Sequence, residues 1–263
     1  MRVFLIALIT LSFYSCTRNV DSTRMPSSKV YDIILDLDWT LIYKVENDVP
    51  QKYGLPKEKV FRYGDETFIL SDDALEVLDK LAARDDVRIS FYTGGGAERS
   101  ELFGKIKLPS GKKIEDATYK SLSFDDLKKI PGIPEDAKFF TRFKKDLAAN
   151  FPNIENTLII DDQNSVPENQ IKSLVFLEET YNWYPSLEAS KRGRLDPTND
   201  VKFRIERGKI KKAYNFVVEQ LDSANKEGKS LHQVYRKFTL MPPKRMTDKS
   251  CFELISEIIR IGI

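Results

Sequence analysis

The chain is poor in the residues from which disulfide frameworks, soft-metal sites and imidazole catalysis are built: it has two cysteines, Cys16 and Cys251, and one histidine, His232. Two thiols supply neither a disulfide scaffold nor a cysteine zinc site. A Ser-His-Asp or Cys-His mechanism would rest wholly on His232, which lies in a helical-looking stretch and reads as a surface or half-buried helix residue. An excess of one charge is missing too. The 42 basic and 40 acidic residues leave a net charge of +2, so no global field marks a nucleic-acid binder and no nucleic acid is expected among the partners. There is no long hydrophobic run either: VFLIALITLSFY, after Arg2, is too short to span a bilayer as a stable helix. Internal repeats and low-complexity blocks are absent.

That first stretch does have the length of a signal-peptide core. It ends in SFYSC, which resembles a bacterial lipobox but departs from it at Phe13, where Leu is usual, and at Tyr14, where a small residue is usual. The expectation is a signal peptide over residues 1–16, export to the periplasm or cell envelope, and a membrane anchor through a lipid on Cys16; in the alternative, an ordinary signal, Cys16 is incidental. The polar residues 17–28 then read as a tether.

A chain of 263 residues can bury one sizeable core. Apolar runs that stop at polar residues organise it: VYDIIL (30–35) ends at Asp36, VRISFY (87–92) at Thr93 and TLII (157–160) at Asp161. AKFF before Thr141 and SLVFL (173–177) are further strand candidates. Between them lie helical patterns: SDDALEVLDKLAARDD, with Ser71 or Asp72 as N-cap and Leu75, Leu78 and Leu81 on one face, then AERSELFGKI and FKKDLAANF. Alternating strands and helices predict an α/β fold with a Rossmann-like, doubly wound parallel sheet, whose ligands bind outside the carboxyl ends of the strands. Residues 43–70 interrupt the alternation. KVFRY, Gly64-Asp65 and ETFIL predict a β-hairpin flap over the site. KIKLPSGKK (105–113) reads as a solvated loop. Residues 29–180 thus form the core and 181–263 a mainly helical extension packed on it, with Ile210, Tyr214, Val217 and Leu221 at helical spacing and FELISEIIRIGI closing the chain. Lys202, Arg204, Arg207, Lys209, Lys211 and Lys212 crowd one end of this extension, either as a wet face or as a patch resting on anionic headgroups.

The chemistry-bearing stretch is ILDLDWTLI (34–42). Two carboxylates at the end of an oily run are costly unless partners or a cation meet them. Asp36-Leu37-Asp38-Trp39-Thr40-Leu41 resembles the D-x-D-x-T-L motif of the haloacid-dehalogenase (HAD) superfamily, and Thr93, Lys145 in KKDL and Asp161-Asp162 after TLII follow in the order of its later motifs. KDL and IIDD are most similar to the small-capped branch of carboxy-terminal-domain phosphatases and their NLI-interacting-factor-like relatives. The resemblance covers roughly residues 29–180 and implies a HAD-like phosphatase.

It also implies the site. Asp36 is the nucleophile and Asp38 the general acid and base, the second aspartate arguing for phosphoryl rather than halide chemistry. Mg²⁺ is held by Asp36, the backbone carbonyl of Asp38 and one of Asp161 and Asp162, with Asp162 favoured and Asp161 acting through water or orienting the lysine. Lys145 supplies fixed positive charge, preferred over Lys144 because of KDL. Thr93 and Gly94-Gly95-Gly96 offer a hydroxyl and backbone N–H groups to phosphoryl oxygens, although a triple glycine alone also reads as a floppy turn. Thr40 fixes the loop after the nucleophile, and Trp39 lines the mouth or packs in the core. The expected function is Mg²⁺-dependent hydrolysis of a phosphomonoester, on a small molecule or a phosphoprotein, through an aspartyl-phosphate. The alternatives are a catalytically silent binding module and a phosphotransferase to an alcohol.

Overall fold

The computed structural model describes residues 29–52, 54–177 and 201–239. In chain order its strands are β1 (Tyr31–Leu35), β2 (Ile42–Val45), β3 (Val60–Tyr63), β4 (Glu66–Leu70), β5 (Val87–Tyr92), β6 (Thr118–Leu122), β7 (Lys128–Lys129), β8 (Phe143–Lys144), β9 (Thr157–Asp161) and β10 (Leu174–Phe176). The helices are α1 (Val49–Lys52), α2 (Ala74–Ala82), α3 (Ala97–Gly104), α4 (Phe139–Arg142), α5 (Leu147–Asn150), α6 (Val201–Glu227) and α7 (Leu231–Val234).

Every residue of β1 and of β9 is buried, as in strands covered on both faces. They are neighbours in a five-stranded sheet of order β10-β9-β1-β5-β6, parallel throughout. The chain runs outward from β1 through β5 to β6 and then returns to the other side for β9 and β10. The strand order therefore reverses between β1 and β9, which opens a crevice at their carboxyl ends. Side chains alternate across the sheet. Ile33, Leu35, Leu158 and Ile160 pack against α2, α3 and α6 on one face, while Ile34, Ile159 and Tyr92 pack with Leu147 of α5 and Phe151 on the other. Burial of each such aliphatic side chain stabilises the fold by about 1.5–3 kcal/mol. This is the Rossmann-like α/β architecture expected from the strand and helix pattern.

The insert after β1 is a three-stranded antiparallel sheet in the order β2-β4-β3, one strand more than the expected hairpin. Its turn places Gly64 at φ +54°, a conformation glycine adopts readily. Several local expectations are corrected. AKFF is not a strand; Phe139 and Phe140 open the short helix α4. Most of FKKDLAANF is not helical, because β8 comes first and α5 starts only after Asp146, whose side chain accepts from the Ala149 N–H. Helix α2 is not capped by Ser71 or Asp72: Ser71 Oγ donates to the Thr40 carbonyl at 2.5 Å and Asp72 pairs with Lys59 at 2.6 Å, so both are engaged elsewhere. Asp73, at φ +64°, precedes the helix instead.

Helix α6 spans 27 residues, roughly 40 Å, and buries Ile210, Ala213, Val217, Leu221 and Ala224 in the core. The closing FELISEIIRIGI and Cys251 lie outside the described residues, as do residues 1–28 with Cys16. The expectation of a signal peptide and a lipid anchor is withdrawn. No helix among the described residues is long and apolar enough to cross a membrane, and Lys209, in the basic stretch that read either as a wet face or as a headgroup patch, is fully buried inside the protein.

Candidate active site

The floor of the crevice is made where β1 and β9 end. The Asp36 N–H donates to the Ile160 carbonyl at 2.9 Å, which continues the ladder by one residue and sets the Asp36 carboxylate beside Asp161. Lys145 enters from the turn between β8 and α5, held by its own N–H on the Ser165 carbonyl at 2.8 Å. Its fully buried ammonium donates to Asp36 Oδ1 and to Asp161 Oδ2, both at 2.6 Å. Asp161 also accepts from Ser165 Oγ at 2.5 Å and from the Gln163 N–H at 2.8 Å. It is thus fixed on every side and orients the lysine. Asp162 accepts from Gln163 Nε2 at 2.8 Å. Carboxylate oxygens of Asp36, Asp161 and Asp162 lie within 4.8 Å of one another.

Three buried acids crowd around the buried ammonium of Lys145, with that of Lys209 acting on Asp162 as well. Burial, with Asp161 and Asp162 adding to it, raises the Asp36 carboxyl well above its ordinary value despite Lys145. Burial and Asp161 push Asp162 up to about 6, against the pull of Gln163, Lys209 and Lys145. Burial acts to lower Lys145, but the Asp161 and Asp36 carboxylates outweigh it and hold the ammonium above the usual lysine range.

The rim carries Asp38. Its carboxylate accepts from Thr93 Oγ1 at 3.0 Å and from Arg99 Nη1 at 2.5 Å. Arg99 reaches on to Glu66 of β4 at 3.3 Å, tying the flap to the rim, and its guanidinium lies 4.8 Å from the centre of the Phe68 ring. The loop after β5 closes around these groups: the Gly95 N–H donates to Thr93 Oγ1 at 3.0 Å. A Cβ at Gly95 would stand 3.0 Å from Asp38 Oδ2 and 3.1 Å from Arg99 Nη1, so a side chain there would press on both groups. Gly94 is backed by Phe139, whose ring would lie 3.1 Å from an added Cβ.

The fold therefore brings Asp36, Lys145, Asp161 and Asp162 into one cluster and Asp38, Thr93 and Gly95 into a second, adjoining group. Lys144 lies outside both and donates to the Asn164 carbonyl at 2.6 Å. Thr40 is buried and holds the loop through its carbonyl, and Trp39 is 37% exposed with its ring edge-on to Tyr43. Three contributors went unread in the sequence: Ser165, Arg99 and Lys209. Ser165 follows the acidic pair closely, but a serine in a loop carries no distinguishing signal. Arg99 lies in the first turn of α3, six residues after Thr93, and that placement is the one feature that sets it apart from a surface arginine.

Fold and cluster together define an α/β protein with a carboxylate-lined crevice at the topological switch point, overhung by a small β flap. No protein-family model and no curated protein sequence matches the chain. Among solved structures the chain is similar to an arginine-to-alanine form of fission yeast RNA polymerase II CTD phosphatase Fcp1 bound to beryllium fluoride, and to Fcp1 described as an essential RNA polymerase II CTD phosphatase. Each match has 16% identity and a TM-score of 0.45, covering 79% of this chain and 70% of the other.

Proposed function

We propose that this protein is a metal-dependent phosphomonoester hydrolase of the HAD kind that works through an aspartyl-phosphate on Asp36. One observation carries the reading: a buried lysine bridges, at 2.6 Å each, the first aspartate of DLD and the first of the later acidic pair, 125 residues apart (161 − 36), at the carboxyl ends of adjacent central strands. Uncatalysed hydrolysis of such esters is so slow that a catalyst supplies on the order of 20 kcal/mol. Splitting it into two displacements is how carboxylate nucleophiles meet that demand.

In the first step an Asp36 oxygen attacks phosphorus and the ester P–O bond breaks, the leaving alkoxide taking its proton from Asp38. In the second, water attacks the phosphoryl group while Asp38 takes the water proton, and the bond to Asp36 breaks, returning both acids to their starting states. Arg99 and Thr93 fix the Asp38 carboxylate at the rim of the crevice. Lys145 keeps positive charge at the nucleophile. Asp36 and Asp162, with the Asp38 backbone carbonyl, would hold a hard divalent cation such as Mg²⁺, since the clustered acids Asp36, Asp161 and Asp162 bring oxygen ligands and negative charge together. Bound there, Mg²⁺ would offset that negative charge and the charge of the phosphoryl oxygens. The substrate is a phosphorylated small molecule or phosphoprotein, and the small flap leaves the approach open to both.

The test is hydrolysis of an aryl phosphate by the full chain with Mg²⁺ or with a chelator, beside Asp36→Asn. Turnover that requires the metal and falls by roughly four orders of magnitude in the variant is expected. Turnover surviving Asp36→Asn removes the nucleophile. No turnover with or without Mg²⁺ favours a silent binding module, and appearance of an alkyl phosphate when alcohol is added favours transfer over hydrolysis.

A further inference from the structure

Helix α6 delivers a lysine to the crevice from outside the segment that carries the motif residues. Lys209 is fully buried, and its Nζ donates to the carbonyl of Trp39 at 3.0 Å, across 170 positions of sequence. The same Nζ stands 5.5 Å from the centre of the Tyr43 ring, whose edge partner is Trp39, 5.8 Å away between centroids. Burying an ammonium is expensive unless partners meet it, and the Trp39 carbonyl is one group that meets this one.

What the ammonium holds there is a strained turn. Trp39 directly follows Asp38 and adopts φ +64°, a left-handed conformation that a bulky side chain resists. Both of its backbone polar groups are engaged: the N–H donates to the Ile42 carbonyl at 2.7 Å and the carbonyl accepts from Lys209. That turn sends the chain sharply away after Asp38. It sets the direction of the Asp38 carboxylate toward Thr93 and Arg99, and of the Asp38 carbonyl. The charge on Lys209 also opposes the acids of the floor, being one of the groups that pull the Asp162 carboxyl down.

We propose that Lys209 is a positioning residue of this centre: carried in by α6, it clamps the strained Trp39 turn and so aims Asp38, which makes the helix after residue 200 a working part of the site. The inference rests on the phosphatase reading for its consequence in turnover, but the clamp has a readout of its own. The chain has two tryptophans, and replacing Trp183 by Phe leaves Trp39 as the sole emitter.

In that background Lys209→Met, Lys209→Arg and Asn225→Ala are compared as full chains. Asn225 anchors the far end of the same helix by accepting from Tyr31 Oη at 2.8 Å, so its loss reports loosening of α6 alone. Lys209→Met is expected to shift the Trp39 emission and its quenching by acrylamide. It is also expected to lower kcat on an aryl phosphate by about 10–100-fold with KM changed less, since slight misplacement of a reacting group has effects of that size. Lys209→Arg should recover most of both, and Asn225→Ala should move melting but neither readout. Trp39 emission and kcat unchanged in Lys209→Met, or changed no more than in Asn225→Ala, overturns the proposal. Should Lys209→Met not fold, Lys209→Gln takes its place under the same two criteria. If the parent chain hydrolyses no aryl phosphate, the phosphatase reading fails by itself, while Trp39 emission still decides the clamp.

Discussion

The two ends of the parallel sheet are built from similar polar residues and put to opposite use. At the amino-terminal edge each group meets a partner of matching kind: Tyr31 Oη donates to Asn225, Asn156 Oδ1 accepts from the Leu231 N–H, Ser173 shares a hydrogen bond of 2.8 Å with His232, and Arg84 pairs with Asp86. That edge is closed by the end of α6 and by α7. At the carboxyl edge three acids are buried side by side, two of them on the ammonium of Lys145 and the third within the field of Lys209, so that like charges crowd together. A fold seeking only stability would match charges at both ends. The difference marks the carboxyl edge as the place for the proposed chemistry without appeal to any motif.

The sharpest way to break that contrast is to remove one member of the crowded edge at a time. Lys145→Met strands Asp36 and Asp161 in the interior, and the expected loss is about 3–5 kcal/mol in urea unfolding with a chelator present. Asp36→Asn should do the reverse. Burial already holds the Asp36 carboxyl well above its ordinary value, so the folded state binds a proton that the unfolded state releases, and this acid costs stability as pH rises above the unfolded carboxylate range. The variant should therefore be as stable as the parent or more so at pH 7 without metal, while its turnover is lost. Equal destabilisation by both changes would mean that the edge is an ordinary ion-pair network.

The rim should respond in activity more than in stability. Arg99 and Asp38 are partly exposed, with side-chain exposures of 20% and 27%, so solvent screens the pair and its removal should change unfolding by less than about 1 kcal/mol. Arg99→Met frees Asp38 from the group that aims it and cuts the tie to Glu66 of the flap. The expected fall in kcat is about 10²-fold, the low end of what a misplaced acid and base forfeits. A large stability loss with modest kinetic change would reassign Arg99 to the architecture.

Much of this was legible from the chain. Strands β1, β5 and β9 announce themselves because their largely buried residues read as mostly apolar runs, and their carboxyl ends name Asp36, Thr93 and Asp161 directly. Strand β6, TYKSL, did not, since at the sheet edge it alternates between half-buried and exposed residues and looks like a loop. AKFF misled for the opposite reason: its phenylalanines are apolar but form a wall beside the glycine loop, with Phe139 38% exposed. Lys145 could be chosen over Lys144 on its KDL context. Nothing local separates Lys209 from its basic neighbours Lys211 and Lys212, because which of them turns inward is decided by how α6 docks some 170 residues from the turn it serves.

The smallest effect belongs to the closed edge and tests whether it is as neutral as it looks. Burial lowers the pKa of His232, with Lys172 acting the same way and Glu155 opposing. Above pH 6.5 the ring is neutral both folded and unfolded and contributes no pH dependence. As pH falls through the unfolded value of about 6.5, the unfolded chain takes up a proton that the folded ring resists, so stability declines with acidification. His232→Gln removes that slope while also losing the hydrogen bond to Ser173, a constant offset of about 1 kcal/mol. Urea midpoints of parent and variant should therefore run parallel above pH 7 and converge toward pH 5. Parallel lines throughout would place the acid sensitivity elsewhere and leave His232 as a plain packing residue. Since His232 lies at the opposite end of the sheet from Asp36, the same variant should leave aryl-phosphate turnover at pH 7 unchanged, and a kinetic effect there would mean that the two edges are coupled through α6.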